Sequence, residues 1–188
     1  MELERERNWL ANNQDRLAGE LEAEKRRNAE LEQQVDLSRS SPTKVEQDLV
    51  QALQPEIARG TISVYQSGEV LMISLISNLL FDSTQDQLKT GGAVALKRVG
   101  CVLKNFPEKE VSVAKYTANV VITGALQKKF PSNRELSDAR AKSAAQVLRE
   151  GGVSSHVLTL GHGDNNPVAS NGTAAGRAKN RRVEIIVS

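Results

Sequence analysis

The chain has little of several things, and each shortage excludes something. One cysteine, Cys101, stands among 188 residues, so no intrachain disulfide can form. Its apolar helical neighbours predict a buried structural thiol. Aromatic residues make up only 3% of the chain, too few for an aromatic-lined cofactor pocket or for stacking on nucleic-acid bases. The two histidines, His156 and His162, have no spacing that suggests a zinc site. No run reaches the roughly 18 apolar residues of a membrane-spanning helix. Nucleophile-elbow, P-loop and dinucleotide fingerprints are missing as well. A net charge of +2 is too small to predict nucleic-acid binding. That charge is unevenly placed: residues 1–40 hold 7 Lys and Arg against 10 Asp and Glu, and the remainder holds 18 against 13. A mildly basic main domain would be drawn weakly towards an anionic polymer.

Residues 1–37 read as a coiled-coil stalk. Leu3, Leu10, Leu17 and Leu31 occupy one heptad position, d, while Leu21, Asn28 and Val35 occupy a. Arg7, Gln14 and Glu24 interrupt the seam. An Asn at a favours a parallel pair in register, and Glu20 with Lys25 and Arg27 with Glu32 have the opposite signs that such a homodimer needs. A single charged, solvated helix is the plainer alternative. Ser38 to Pro42 breaks the pattern. Residues 38–60 then read as a linker with an amphipathic helix: Thr43–Glu46 has the form of a capping box, Val45, Leu49, Leu53 and Ile57 share a face, and Gly60 ends it.

From residue 61 to 188 the order is ββαβαβαβ. Strands are expected at 61–65, 70–75, 110–117, 156–160 and 182–187, and helices at 93–103, 133–150 and 173–178. Gln66–Glu69 is a hairpin signal. Strands alternating with helices imply an α+β fold with one layer of helices on a sheet.

Two motifs carry most of the information: Leu136-Ser137-Asp138-Ala139-Arg140-Ala141 and Asn180-Arg181-Arg182-Val183-Glu184. With them stand Leu80–Ser83, Phe130–Ser137, and Gly161-His162-Gly163 followed by Pro167–Asn171. Five motifs in this order and spacing resemble the C-terminal domain shared by OmpA-type outer-membrane proteins and MotB-type flagellar stator proteins, over roughly residues 45–188. The resemblance implies a βαβαβ(α)β domain with helices on a mixed sheet, and a clamp for the peptide stem of peptidoglycan. Its target would be a diamino acid such as diaminopimelate, which carries an ammonium and carboxylates. A guanidinium grips a carboxylate through two parallel hydrogen bonds, and a carboxylate takes the ammonium.

On that resemblance Arg140 takes the guanidinium role, with Arg181 and Thr84 as supporting contacts. The family's Gly-His-Thr-Asp-Asn segment is here Lys115-Tyr116-Thr117-Ala118-Asn119. Thr117 and Asn119 are retained; the ammonium-binding Asp is Ala118. A charge-assisted hydrogen bond is worth about 1.5–3 kcal/mol, so its loss implies affinity reduced about ten- to a hundredfold. Strand alternation puts Lys115 on the face of Val111 and Val113 and leaves the end point of its amine open. The plainer alternatives remain at each position. Arg140 could be solvated or bridge to Asp138 or Glu135, Arg181 could tie the last strand to a loop, Asp82 could order its turn, and His162 could pack a loop.

The resulting expectation is a non-catalytic, periplasmic envelope anchor, dimerised by its stalk, binding peptidoglycan without cofactor, metal or nucleic acid. An export signal or membrane anchor would have been removed or lie outside the chain. The alternatives are an interaction module in an envelope complex (flagellar stator or secretion system) that no longer binds the wall and, less favoured, an intracellular coiled-coil adaptor.

Overall fold

Along residues 62–67 and 70–76 buried side chains alternate with more exposed ones, which gives the sheet one face to bury. The computed structural model describes residues 2–38, 43–82, 85–153 and 156–188. It divides into two units, residues 1–40 and 41–188. The first is a single helix, α1 (Glu2–Ser38). Leu17 and Leu21 are exposed on it, as is Trp9. Its described ion pairs run within the helix, Arg16 to Glu20 at 3.0 Å and Lys25 to Glu22 at 2.8 Å. The side chains of Leu3, Leu10, Leu31, Glu32 and Val35 lie outside the described set, and so does the break at residues 39–42.

The second unit begins with α2 (Lys44–Ala52) and α3 (Gln54–Ala58). The continuous helix expected here is interrupted at Leu53, because Pro55 has no N–H to continue the ladder and suits the first turn of a new helix. Thr43 caps α2 by accepting from the Glu46 N–H at 3.3 Å. The return bond of a capping box is replaced, since the Thr43 N–H and hydroxyl both donate to Gln66 Oε1. Val45, Leu49 and Leu53 enter the main core.

The hairpin follows as expected: β1 (Ile62–Ser67) pairs antiparallel with β2 (Val70–Ile76), and Gly68 takes the positive φ that the turn requires. Next come α4 (Ser77–Leu80), α5 (Thr90–Leu103), β3 (Val111–Tyr116), α6 (Ala125–Lys129), α7 (Asn133–Glu150), β4 (Val157–Gly163), α8 (Ala174–Asn180) and β5 (Arg182–Val187). The sheet order is β1-β2-β5-β3-β4, antiparallel except for the parallel β3–β4 pair. This is the mixed sheet of an α+β fold. Ile73, Leu75, Val111, Val113, Val183 and Ile185 meet Leu96 and Val99 of α5 and Ala141, Ala144 and Leu148 of α7 in one core.

Cys101 is exposed, contrary to the burial expected of it. It lies on α5 two residues from buried Val99 and Leu103, so the helical repeat turns it to the outside. Neither α4 nor α6 is expected from the sequence, and β4 runs three residues beyond the expected strand end at Leu160. Gly161-His162-Gly163 lacks strand-forming side chains, and α7 supplies what holds it. The Gly161 N–H donates to Asp138 Oδ1 at 2.6 Å and the Gly163 N–H to Ser137 Oγ at 2.9 Å. A Cβ at Gly161 would overlap the Asp138 backbone and both of those side chains, so only glycine fits.

Candidate functional site

The motifs converge where β3 and β5 meet α7. Arg140 is buried in the middle of α7 and reaches across to the segment after α4. Its Nε donates to Gln85 O at 3.1 Å, and Nη2 donates to Asp82 O at 3.0 Å and also to Gln85 O. The guanidinium also lies over the Phe81 ring, 5.1 Å from its centroid. Arg140 is therefore neither solvated nor bridged to Asp138 or Glu135. It ties a loop in place and leaves Nη1 without an acceptor among the described residues. Burial lowers its pKa from the ordinary guanidinium value, with Asp86 acting in the opposite sense.

Beside it opens a chamber of about 560 Å3, a size suited to a small ligand. Lys115, Thr117, Ala118, Arg140 and Arg181 all line it, so four of the expected site residues come together with Lys115. Asn119 is exposed and is not part of the lining, and Thr84 lies outside the described residues. The opposite wall is aliphatic, from Val120, Val121, Ile122, Leu126 and Leu136.

Arg181 enters through the turn between α8 and β5. Its backbone carbonyl accepts from the Ser77 N–H at 2.8 Å, while its guanidinium makes no hydrogen bond or ion pair with the described residues. Thr117 is buried and its hydroxyl has no partner among the described residues. Asp82, the one carboxylate among the described lining residues, pairs with Lys89 at 2.9 Å.

Lys115 is the residue whose importance the sequence left open. It is 0% exposed. Its Nζ donates to Tyr116 O at 2.5 Å and Arg182 O at 3.3 Å. Burial, followed by repulsion from Arg140, Arg181 and Arg182, holds its pKa well below the ordinary lysine value. The motif differs at this position, and the tertiary structure buries the side chain in the chamber lining with its amine held by two backbone carbonyls.

The neighbouring changes fit one another. β3 and β4 slip register so that Tyr116 opposes Gly163, and His162 is displaced from the ladder. The two rings stack, 4.6 Å apart and 4° from parallel. Arg182 lies 3.8 Å over the other side of Tyr116 and pairs with Glu184 at 2.7 Å. Tyr116 stands where the resembled family has His, and His162 where it often has Tyr. In this chain the two exchanged residues form a stacked pair.

A mixed five-stranded sheet backed by helices, with an arginine-lined chamber at the strand ends, defines an OmpA/MotB-type domain. The chain belongs to the OmpA family, whose model matches residues 80–181. It is 41% identical over 143 residues to probable lipoprotein YiaD of Escherichia coli (strain K12), covering 75% of this chain and 62% of that protein. It is 45% identical over 94 residues to peptidoglycan-binding protein ArfA of Mycobacterium tuberculosis, covering 50% of this chain and 27% of that one. The chain thus spans less than two thirds of the length of either relative. Among solved structures, the cell wall anchor of the T6SS from Pseudomonas aeruginosa superposes with a TM-score of 0.67 at 29% identity, covering 79% of this chain and 98% of that one. No described helix is long and apolar enough to cross a membrane.

Proposed function

We propose that this chain is a non-catalytic anchor of the bacterial cell envelope that holds the peptide stem of peptidoglycan in the Arg140–Arg181 chamber. Residues 1–37 act as a stalk, 38–60 as the connection and 61–188 as the binding domain. The observation that carries the reading is convergence: Arg140, Arg181, Thr117 and Lys115, from separate parts of the sequence, share one chamber, and the first three offer donors without described acceptors. Relatives that bind peptidoglycan or anchor to the cell wall support it. Leu17 and Leu21, exposed on α1 along with Asn28, support a parallel homodimer through the stalk.

Co-sedimentation of the full chain with purified sacculi tests the reading. Arg181→Ala is the informative variant, because its guanidinium holds no described part of the fold. Its loss of a charge-assisted contact should weaken sedimentation about tenfold or more. Sedimentation unchanged by Arg181→Ala would refute the site. A second reading, an interaction module of a stator or secretion complex that no longer holds the wall, draws on Leu158 and Leu160, exposed along edge strand β4. Failure of the wild-type chain to bind sacculi would favour it.

A further inference from the structure

The charged groups that line the chamber without a described counter-charge are all cations, Lys115, Arg140 and Arg181. An ammonium has three N–H groups, and Lys115 commits two of them, to Tyr116 O and Arg182 O. Arg140 Nη1, the Arg181 guanidinium and the Thr117 hydroxyl have no acceptor among the described residues. Carboxylate acceptors, by contrast, are already engaged. Asp82 pairs with Lys89, and Asp86, just outside the lining, pairs with Lys129 at 2.6 Å. Ala118, 2% exposed, puts a methyl group where the resembled motif has its ammonium acceptor.

We infer that the chamber selects a carboxylate borne on an aliphatic chain and gains nothing from a free ammonium on the ligand. This rests on the peptidoglycan reading above and deepens it. The stem residue accepted would be one whose side-chain amine is already acylated, as in a cross-link, rather than a free zwitterion. A free ammonium would approach Lys115, Arg140 and Arg181 with no unpaired carboxylate to receive it, and like charges at such distances repel. An acylated nitrogen carries no charge and avoids that repulsion. The methylene chain would lie along Val120, Ile122 and Leu126, while the carboxylate takes the donors of Arg181, Thr117 and Lys115.

The selection carries a pH signature. Arg140 on α7, Arg181 before β5 and Arg182 in β5 act on the Lys115 amine, Glu184 in β5 pairs with Arg182, and Asp82 after α4 is the carboxylate among the described lining residues. The three arginines and burial favour its neutral form. An entering carboxylate supplies the missing counter-charge and restores the proton, so binding takes up a proton and tightens as pH falls.

Isothermal titration of the full chain with pimelate, meso-diaminopimelate and 1,5-diaminopentane tests the inference. Pimelate is expected to bind at least as tightly as diaminopimelate, the diamine not to bind, and pimelate affinity to rise from about pH 8 to about pH 6. Lys115→Met and Arg181→Ala should each weaken pimelate about tenfold or more with unchanged circular dichroism. The double variant Lys115→Gly/Ala118→Asp should shift preference to diaminopimelate. Diaminopimelate bound about tenfold tighter than pimelate by the wild-type chain, pimelate binding indifferent to both single variants, or no binding of any probe would overturn the inference. Sacculus co-sedimentation is read separately. Wall binding combined with preference for diaminopimelate would overturn the inference and leave the anchor reading standing. Pimelate preference without wall binding would support the selectivity and remove the wall as its target.

Discussion

Lys115→Met should make the unliganded protein more stable near neutral pH, although it removes two hydrogen bonds. Methionine keeps most of the straight side chain, so the volume inside the core is preserved. Two effects compete. Burying an ammonium without a carboxylate costs several kcal/mol, a cost the variant escapes. Against this, the Tyr116 and Arg182 carbonyls lose a donor, at about 1 kcal/mol each. The net gain is about 1–3 kcal/mol. A unit of this size shifts by about 2–4 °C per kcal/mol, so Tm should rise on the order of 5 °C.

The pH dependence has a definite sign. The folded state depresses the Lys115 pKa, whereas the unfolded chain holds its proton up to about pH 10.4. Between the folded and unfolded values the unfolded state binds more protons, so wild-type stability rises with pH through that window. The variant lacks this contribution. Its advantage should therefore be largest below the folded pKa and should shrink or reverse towards about pH 10. Differential scanning calorimetry of both chains at about pH 6, 8 and 10 measures the gap. A variant less stable than wild type by the same amount at all three would refute the reasoning.

Two further substitutions probe how the site is held. Asn180 is 0% exposed; its side chain accepts from the Val168 and Ala169 N–H groups and donates to Ala169 O and Asn171 Oδ1. Asn180→Ala should cost about 1–3 kcal/mol in denaturant unfolding, since it removes four hydrogen bonds that hold the 168–171 loop and leaves the part-buried Val168 and Ala169 N–H groups without their acceptor. Arg140→Ala removes the donor from Asp82 O and Gln85 O and the cation from the Phe81 ring. It should cost about 3 kcal/mol and speed proteolysis between α4 and α5. A loss in Asn180→Ala or Arg140→Ala below about 0.5 kcal/mol would contradict the assigned contacts.

The bounds of α7 and β5 were legible from local signals. Ser132 caps α7 by accepting from the Arg134 N–H, Gly151 stops it, and the alternation from Arg182 to Val187 sets the strand. Pro55 was legible too, and its break in the helix was misjudged from a face of apolar residues that continues across it. β4 was shortened because its last residues are held by Ser137 and Asp138, more than 20 positions away, rather than by their own propensity. The face of Lys115 followed from strand alternation, while its amine is placed by carbonyls on two strands.

By itself, then, the sequence determined the α+β class, the family motifs and the alanine at 118 where the resembled motif has Asp, because each is written in residue type, order and period. The tertiary structure alone decided that Arg140 spends three donor contacts on a loop, that Tyr116 and His162 stack, and that the Lys115 amine is buried on the Tyr116 and Arg182 carbonyls. Those outcomes depend on which distant backbone groups come within hydrogen-bond reach, and folding brings those groups together without leaving a local trace in the chain.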